Sequence, residues 1–453
     1  MHKPLYKIAH ITPHVGGGVG SVLKDLFHIS STHSINNSLF CLDRCENNYR
    51  EFANHYLAFN GMAFNYTNSI YKTLSQYDII MIHYWNHPLM AHFLINFDLP
   101  PCRPIFWCHN SGLYEPHIIP SYIAKIGYKI IFSSSCSMLA PNISSLSSTK
   151  INNLDVIHST RSLQNFLKIG SKKSTHNTDL TILYVGTVSK SKMHQDSAKI
   201  MAELSRMGYN ITVVGGPDHR IFASEVSSLG GTIQALGPKK NVYEFYKKSD
   251  ILIYPLRQDH YGTGEQVILE AMACGLPVVT FANPAECSII TDGIDGVLAD
   301  NCNDFVKKTV LLLNDSNQRK KISQNAIYKI SSQFDVNIMI NKIIRIFQEV
   351  ISYDKKTINL SEIKKYKIND IQLYALNSFF DDKILKDIDS EKSKGVDVVF
   401  SKIKLELNNP ILATKWVSPC KSTPYHYKKY FSQSEEILQL CKLIDNQVKN
   451  LNF

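Results

Sequence analysis

Residues 262–279, GTGEQVILEAMACGLPVV, set a single carboxylate, Glu270, inside an apolar stretch. Thr263 and Gln266 have the spacing of a capping box, Gly275 is a natural helix stop, and Pro277 prevents continuation. The pattern predicts a helix from about Gly264 to Cys274, with Val267, Ile268, Leu269, Ala271, Met272 and Cys274 pointing nearly all the way round it. A carboxylate buried there costs several kcal/mol unless hydrogen-bond donors meet it, and a ribose diol would meet it. The first turn, Glu265, Gln266 and Val267, presents unsatisfied backbone N–H groups at the positive end of the helix dipole. Carboxylate and amides together suit a nucleotide-sugar.

Three further groups carry chemistry. HITPHVGGGVG ends a strand and opens a helix, so Gly16, Gly17, Gly18 and Gly20 let a ligand approach the backbone. The same residues nearly spell a dinucleotide fingerprint, with Asp43 where a ribose-binding acid belongs, so an NAD-dependent oxidoreductase is an alternative. It leaves the 262–279 helix unexplained. His109, in FWCHNSG, ends a strand, where a histidine is either a ligand contact or a core or capping residue. His83, Trp85 and Asn86, in IHYWNHP, place an aromatic ring beside polar groups, which suits sugar stacking on an acceptor side and equally a lobe interface. Glu286 reads as structural. The pair Asp387 and Asp389 reads as solvated charge in the tail.

The elements that must position these groups alternate between β-type and helix-type runs up to about residue 350, the α/β signature. KIAHIT, SLFCLD, DIIMIHYW, PIFWCHN, KIIFSS and LDVIHS are strand candidates of a first half; TILYVG, ITVVGG, TIQALG, DILIYPL, PVVTF and GVLAD are those of a second. Continuous apolar runs of this kind belong in parallel sheets covered on both faces. Two Rossmann-like, doubly wound domains are expected across a central cleft: residues 1–160 on the acceptor side, a linker at 161–179, and 180–351 binding the nucleotide-sugar. Residues 352–453 form a lysine-rich, mainly helical extension that could serve an oligomer or a partner protein.

With 453 residues, 44% hydrophobic and 19% charged, the composition is that of a globular enzyme. No run reaches the ~20 apolar residues of a membrane span, and the start lacks the apolar core of a secretory signal, so a cytoplasmic protein is expected. The net charge of +10 is dispersed without a nucleic-acid-binding fingerprint. A solvated surface explains it, with weak attraction to the inner membrane face as a further option. The ten cysteines are scattered; Cys41 and Cys45 are the closest pair, with no second pair at finger-like spacing, so no metal is expected.

The ordered motifs ILYVGTVSKSK, ITVVGGPDHR, KKSDILIYPL, LEAMACGLPVV and DGIDGVLAD resemble the retaining glycosyltransferases of family 4, which have the GT-B fold. The resemblance spans roughly residues 5–350. It implies metal-independent, hexosyltransferase-type transfer from a nucleotide-diphosphate sugar, UDP- or GDP-linked, to a glycan, lipid-linked or protein acceptor, with retention of configuration and no cofactor. Many family members build bacterial surface polysaccharide. The family's Gly-Arg-x-x-x-x-Lys becomes Gly186, Thr187 and Lys192, so the lysine is kept and the arginine is absent; Lys190, His194 or Arg257 are candidate replacements. Of the family's two glutamates, the ribose-binding one matches Glu270, and the sugar-binding one falls on Gly262, with Glu265 nearby. Lys192, His109 and Glu265 are the expected catalytic residues, and Gly17, Gly18, Gly186, Gln266, Val267 and Glu270 complete the donor site. The losses at 187 and 262 also suit a non-catalytic subunit partnering an active enzyme.

Overall fold

A computed structural model of the chain describes residues 6–43, 55–56, 68–146, 153–170, 180–263, 266–358, 368–378, 394–409, 415–416 and 422–450. The chain forms two compact units. The first is Met1–Ser159 with Tyr261–Thr263 and Met339–Phe453; the second is Thr160–His260 with Gly264–Ile338.

In the first unit the strands are β1 (Tyr6–Thr12), β2 (Ile35–Cys41), β3 (His55–Tyr56), β4 (Ile79–Tyr84), β5 (Pro104–Cys108), β6 (Lys129–Phe132) and β7 (Leu154–Val156). They pair in parallel in the order β3-β2-β1-β4-β5-β6-β7. Every residue of β4 and β5 is buried, as continuous apolar runs require of central parallel strands. Strand order reverses between β1 and β4, the point at which doubly wound sheets open a crevice beyond their carboxyl ends.

The tail is part of this unit. Its helices Asp370–Ser378, Lys394–Leu407, Pro424–Tyr430 and Glu435–Asn450 accompany Ile371, Tyr374, Trp416, Tyr427 and Leu440 into the same core as Ile80, Tyr84 and Phe106. The Tyr84 hydroxyl donates to Asn377 Oδ1 at 2.7 Å, and the Tyr430 hydroxyl donates to Asp43 Oδ2 at 2.8 Å. Asp43, the acid that a dinucleotide site would need, is thereby engaged within the unit. The helix Val336–Val350, which the expected 180–351 boundary puts in the second domain, falls with the first unit from Met339 onward, and its Glu349 pairs with Lys129 at 3.0 Å. An amphipathic sequence predicts a buried stripe but does not name the sheet that buries it.

In the second unit the strands are β8 (Thr181–Val185), β9 (Asn210–Val214), β10 (Gln234–Ala235), β11 (Ile251–Tyr254), β12 (Val278–Phe281) and β13 (Val297–Ala299), parallel in the order β10-β9-β8-β11-β12-β13. Counted from its own first strand, each sheet runs 3-2-1-4-5-6, and the first adds a seventh. Of the expected linker, Gln164–Gly170 is a helix of the second unit with Phe166 in its core; residues 171–179 lie outside the described residues. The predicted helix after β11 is present as Gln266–Ala273. It stops where the Gly275 amide, at φ +64°, donates to Met272 O at 3.0 Å and the Leu276 amide to Ala271 O at 2.9 Å. No helix among the described residues is long and apolar enough to cross a membrane.

Candidate functional site

The carboxyl ends of β8 and β9 run out into glycine. An open depression of about 360 Å³ lies there, lined by Gly186, Thr187, Gly215, Gly216, Pro238 and Lys239, with Val185, Val214 and Val242 as its apolar floor. The two loops cross so closely that a Cβ at Gly215 would lie 1.7 Å from the Gly186 carbonyl oxygen, so no larger residue fits there. Thr187, where an arginine is absent, contributes its carbonyl to the Tyr184 hydroxyl at 2.7 Å. Val242 accepts the Tyr246 amide at 3.3 Å, and the Tyr246 hydroxyl donates to Glu270.

Glu270 is 6% exposed, flanked on its helix by the buried Leu269 and Ala271, as the sequence pattern requires. Its partners are protein groups: Arg161 bonds Oε1, and the Tyr246 hydroxyl donates to Oε2 at 3.1 Å. Burial pushes the carboxyl pKa up, and the Arg161 charge and the Tyr246 bond pull against it. The Tyr246 phenol is pushed well above its ordinary value by the same burial and by the adjacent carboxylate. Arg161 and Tyr246 carried no signal in the sequence, because they stand 109 and 24 residues from Glu270 in no shared motif.

Lys192 is buried in the turn after β8, where its carbonyl accepts the Arg257 amide at 3.1 Å. The three candidate stand-ins for the missing arginine differ in exposure: Lys190 is exposed, His194 half-buried and Arg257 buried. Arg257 is held by Asp259 through Nε at 2.5 Å and a second bond at 3.0 Å, Lys190 pairs with Glu225 at 3.6 Å, and His194 packs on Phe281 at 4.6 Å. His194, Asp196 and Cys302 bring one nitrogen, one oxygen and one sulfur within 4.8 Å of each other. The cluster satisfies itself: the Asp196 amide donates to His194 Nδ1 at 3.1 Å and the Cys302 thiol to Asp196 Oδ2 at 3.5 Å, while burial pushes that thiol up to about 11. Glu286, read as structural, is fully buried with His260 Nε2 at 3.2 Å.

Gln266 and Val267 open their helix as expected; Glu265 lies outside the described residues. Thr263, expected to cap that helix, belongs to the first unit, where its hydroxyl donates to the His109 carbonyl at 3.4 Å. Gly17 and Gly18 stand exposed at the start of the helix Gly17–Ser31.

The acceptor-side expectations divide. Trp85 remains half-buried, edge-on to His14 at 5.4 Å and to His109 at 6.2 Å. Asn86 is spent inside the unit: its amide nitrogen donates to Ile118 O at 2.7 Å and to Asn377 O, and its oxygen accepts from Asn110 Nδ2 at 2.6 Å. His83 is fully buried, and lines no surface, because its ring nitrogens meet His10 and His109, each at 3.0 Å. The legible sign of this row was a histidine near the carboxyl end of each of three adjacent apolar strand segments, KIAHIT, IIMIHY and PIFWCH.

Residues 168–329 match the family described as Glycosyl transferases group 1. The second unit therefore carries a group 1 glycosyl transferase domain. An uncharacterised glycosyltransferase of Methanocaldococcus jannaschii is 30% identical over 122 residues, 26% of this chain and 34% of that protein. The chain spans between 30% and 46% of the length of the curated relatives it matches. Over the whole fold, a glycosyltransferase of Rickettsia africae superimposes with a TM-score of 0.60 at 16% identity, covering 77% of this chain and 99% of that one. Anabaena HepE, solved with UDP and glucose, superimposes with a TM-score of 0.58 at 15% identity, covering 76% and 100%. The fold is GT-B, two Rossmann-like parallel-sheet domains, and the group 1 domain is the one that holds Glu270 and the glycine-lined depression.

Proposed function

We propose that this chain transfers a sugar from a nucleotide-diphosphate sugar to an acceptor hydroxyl, with retention at the anomeric carbon. The observation that carries the reading is the glycine-lined depression of about 360 Å³ in the group 1 domain, which also holds the buried Glu270. The nucleoside rests against Gly186, Gly215 and Gly216, and its ribose diol donates to Glu270, with Arg161 released from or sharing that carboxylate. The diphosphate meets Lys192 and the amides of Gln266 and Val267. As the glycosidic bond breaks, negative charge grows on the leaving phosphate, where preorganised donors in a site of low dielectric stabilise it most. The leaving phosphate accepts the proton of the attacking hydroxyl, so that no separate carboxylate base and no cofactor is invoked.

The binding of UDP by HepE supports a UDP-linked donor, with GDP as the other candidate. A glycan or lipid-linked acceptor in bacterial surface polysaccharide assembly, at the cytoplasmic face of the membrane, is the setting proposed. A thermal-shift series with UDP, GDP, ADP and CMP tests the donor class: a nucleotide at 100 times its Kd adds about 2.7 kcal/mol. If no nucleotide moves the transition, the reading is wrong. The non-catalytic reading is favoured by Thr187 and Gly262, and by the fact that Glu270 already has two protein partners. Sugar transfer or donor hydrolysis by the purified chain alone excludes it.

A further inference from the structure

A continuous hydrogen-bonded row crosses the first sheet beneath its carboxyl ends. It passes from Ser30 to Asn37 on β2 (2.6 Å), His10 on β1 (3.0 Å), His83 on β4 (3.0 Å), His109 after β5 (3.0 Å), Ser133 after β6 (3.4 Å) and Ser159 after β7 (2.8 Å). The neighbouring rings lie nearly parallel, with centroids 5.3 Å apart at 21° and 16°. Phe27 covers His10 at 4.7 Å, and Trp107 lies against His83 and His109 at 5.7 and 5.0 Å.

Such a row has a polarity. The Asn37 amide nitrogen donates to Ser30, so Asn37 Oδ1 faces His10 and can only accept. His10 therefore carries its hydrogen on Nε2 and accepts at Nδ1. A neutral imidazole has one hydrogen, so the same assignment passes to His83 and then to His109. Burial holds all three rings neutral: it lowers His10 to about 4 and His109 to about 3, and takes His83 well below its ordinary value. His10 and His83 are fully buried, and His109 is the one of the three residues that keeps partial exposure, so a ligand joins the row only there. The link beyond its Nδ1, to Ser133 at 3.4 Å, is the longest in the row and the weakest to displace.

We propose that His10 and His83 are positioning residues that fix His109, the histidine that the family resemblance sets near the donor sugar, as a neutral acceptor at Nδ1, so that this place takes a hydroxyl and not a phosphate or carboxylate. The hydroxyl is taken to be a sugar's, and in that respect the inference rests on the glycosyltransferase reading. An anion offers no hydrogen to an uncharged acceptor nitrogen, whereas a sugar hydroxyl does.

The test is long-range ¹H–¹⁵N correlation of the imidazole rings in the ¹⁵N-labelled full chain at pH 7, with UDP-glucose as the probe for turnover. Three neutral rings, each with its hydrogen on Nε2, are expected. His83→Phe should leave His109 in mixed tautomers and lower kcat about tenfold with little change in KM. His83→Gln, whose amide oxygen can accept from His109 Nε2 and whose NH₂ can donate to His10 Nδ1, should restore both. A hydrogen on His109 Nδ1, a charged His109, or a His83→Phe variant with unchanged tautomer and turnover would overturn the proposal. If the wild-type chain turns over no UDP-glucose, that result weighs against this donor in the proposed reaction, while the tautomer spectrum of the same wild-type sample decides the positioning role. The spectrum needs no variant to fold.

Discussion

In the second unit β8 and β9 end in Gly186 and Gly215 and open onto a depression of about 360 Å³; in the first, β1 and β4 carry His10 and His83, whose rings continue a polar row to His109. The strand order is shared, so backbone topology does not decide between the two outcomes. Side-chain size at the strand ends does. Removing every side chain bares amides and leaves room for a phosphate or a base, whereas imidazoles fill the same region and offer directed acceptors. Buried polarity differs in kind as well: the second unit holds a carboxylate against a guanidinium, and the first holds neutral rings against each other.

Substitutions confined to one unit can break this contrast. The largest effect is expected from Trp416→Ala, which empties the place of a fully buried indole in the first core and should cost about 3–5 kcal/mol. By calorimetry or denaturant titration the first unit's transition should move while the second unit's stays, and a joint shift would show the two to be one cooperative body. Lys192→Ala should slow turnover by roughly ten- to a hundredfold, the worth of a charge-assisted contact of about 1.5–3 kcal/mol, with the first unit's transition unmoved. Turnover at the wild-type rate would remove Lys192 from the donor site.

Smaller effects sharpen it. Arg161→Ala strips Glu270 of its charged partner and should destabilise the second unit by about 1–2 kcal/mol, kept modest because the arginine side chain is 32% exposed. If UDP affinity rises in that variant, arginine and ribose compete for Glu270; if it collapses, Arg161 itself binds the nucleotide. pH dependence gives a further signal. His10 and His109 have folded pKa values below the ordinary 6.5, so below that pH the unfolded chain takes up protons that the folded chain refuses. The first unit's stability is thus fully present above pH 6.5 and falls with acid until the folded values near 4 and 3 are passed. Glu270, shifted upward, contributes in the opposite sense as pH falls through its folded value. A flat first-unit transition between pH 6.5 and 4 would contradict the neutral row.

Much of the architecture was legible because parallel strands are short uninterrupted apolar runs: IIMIHY, PIFWC, TILYV and VVTF stand in the sequence much as they stand in the sheets. The helix bearing Glu270 was legible from its Gly275 stop and all-round apolarity. What stayed hidden involves distant partners. Nothing local announces that Arg161 meets Glu270, that Asn377 takes up Asn86, or that Tyr430 holds Asp43. His83 illustrates the limit from the other side: its position at a strand end suggested a ligand-facing residue, but the rings of His10 and His109 had already claimed both its nitrogens.

The tail's place in the first core bears on how the chain comes off the ribosome. The second unit is nearly continuous, from Thr160 to Ile338, whereas the first brings Ile11 and Ile82 together with Leu440 and Ile444. Domains ordinarily fold in the order of their synthesis. Here strands made early must wait for helices made much later, so the middle of the polypeptide can reach its native form while the amino-terminal sheet is still unfinished.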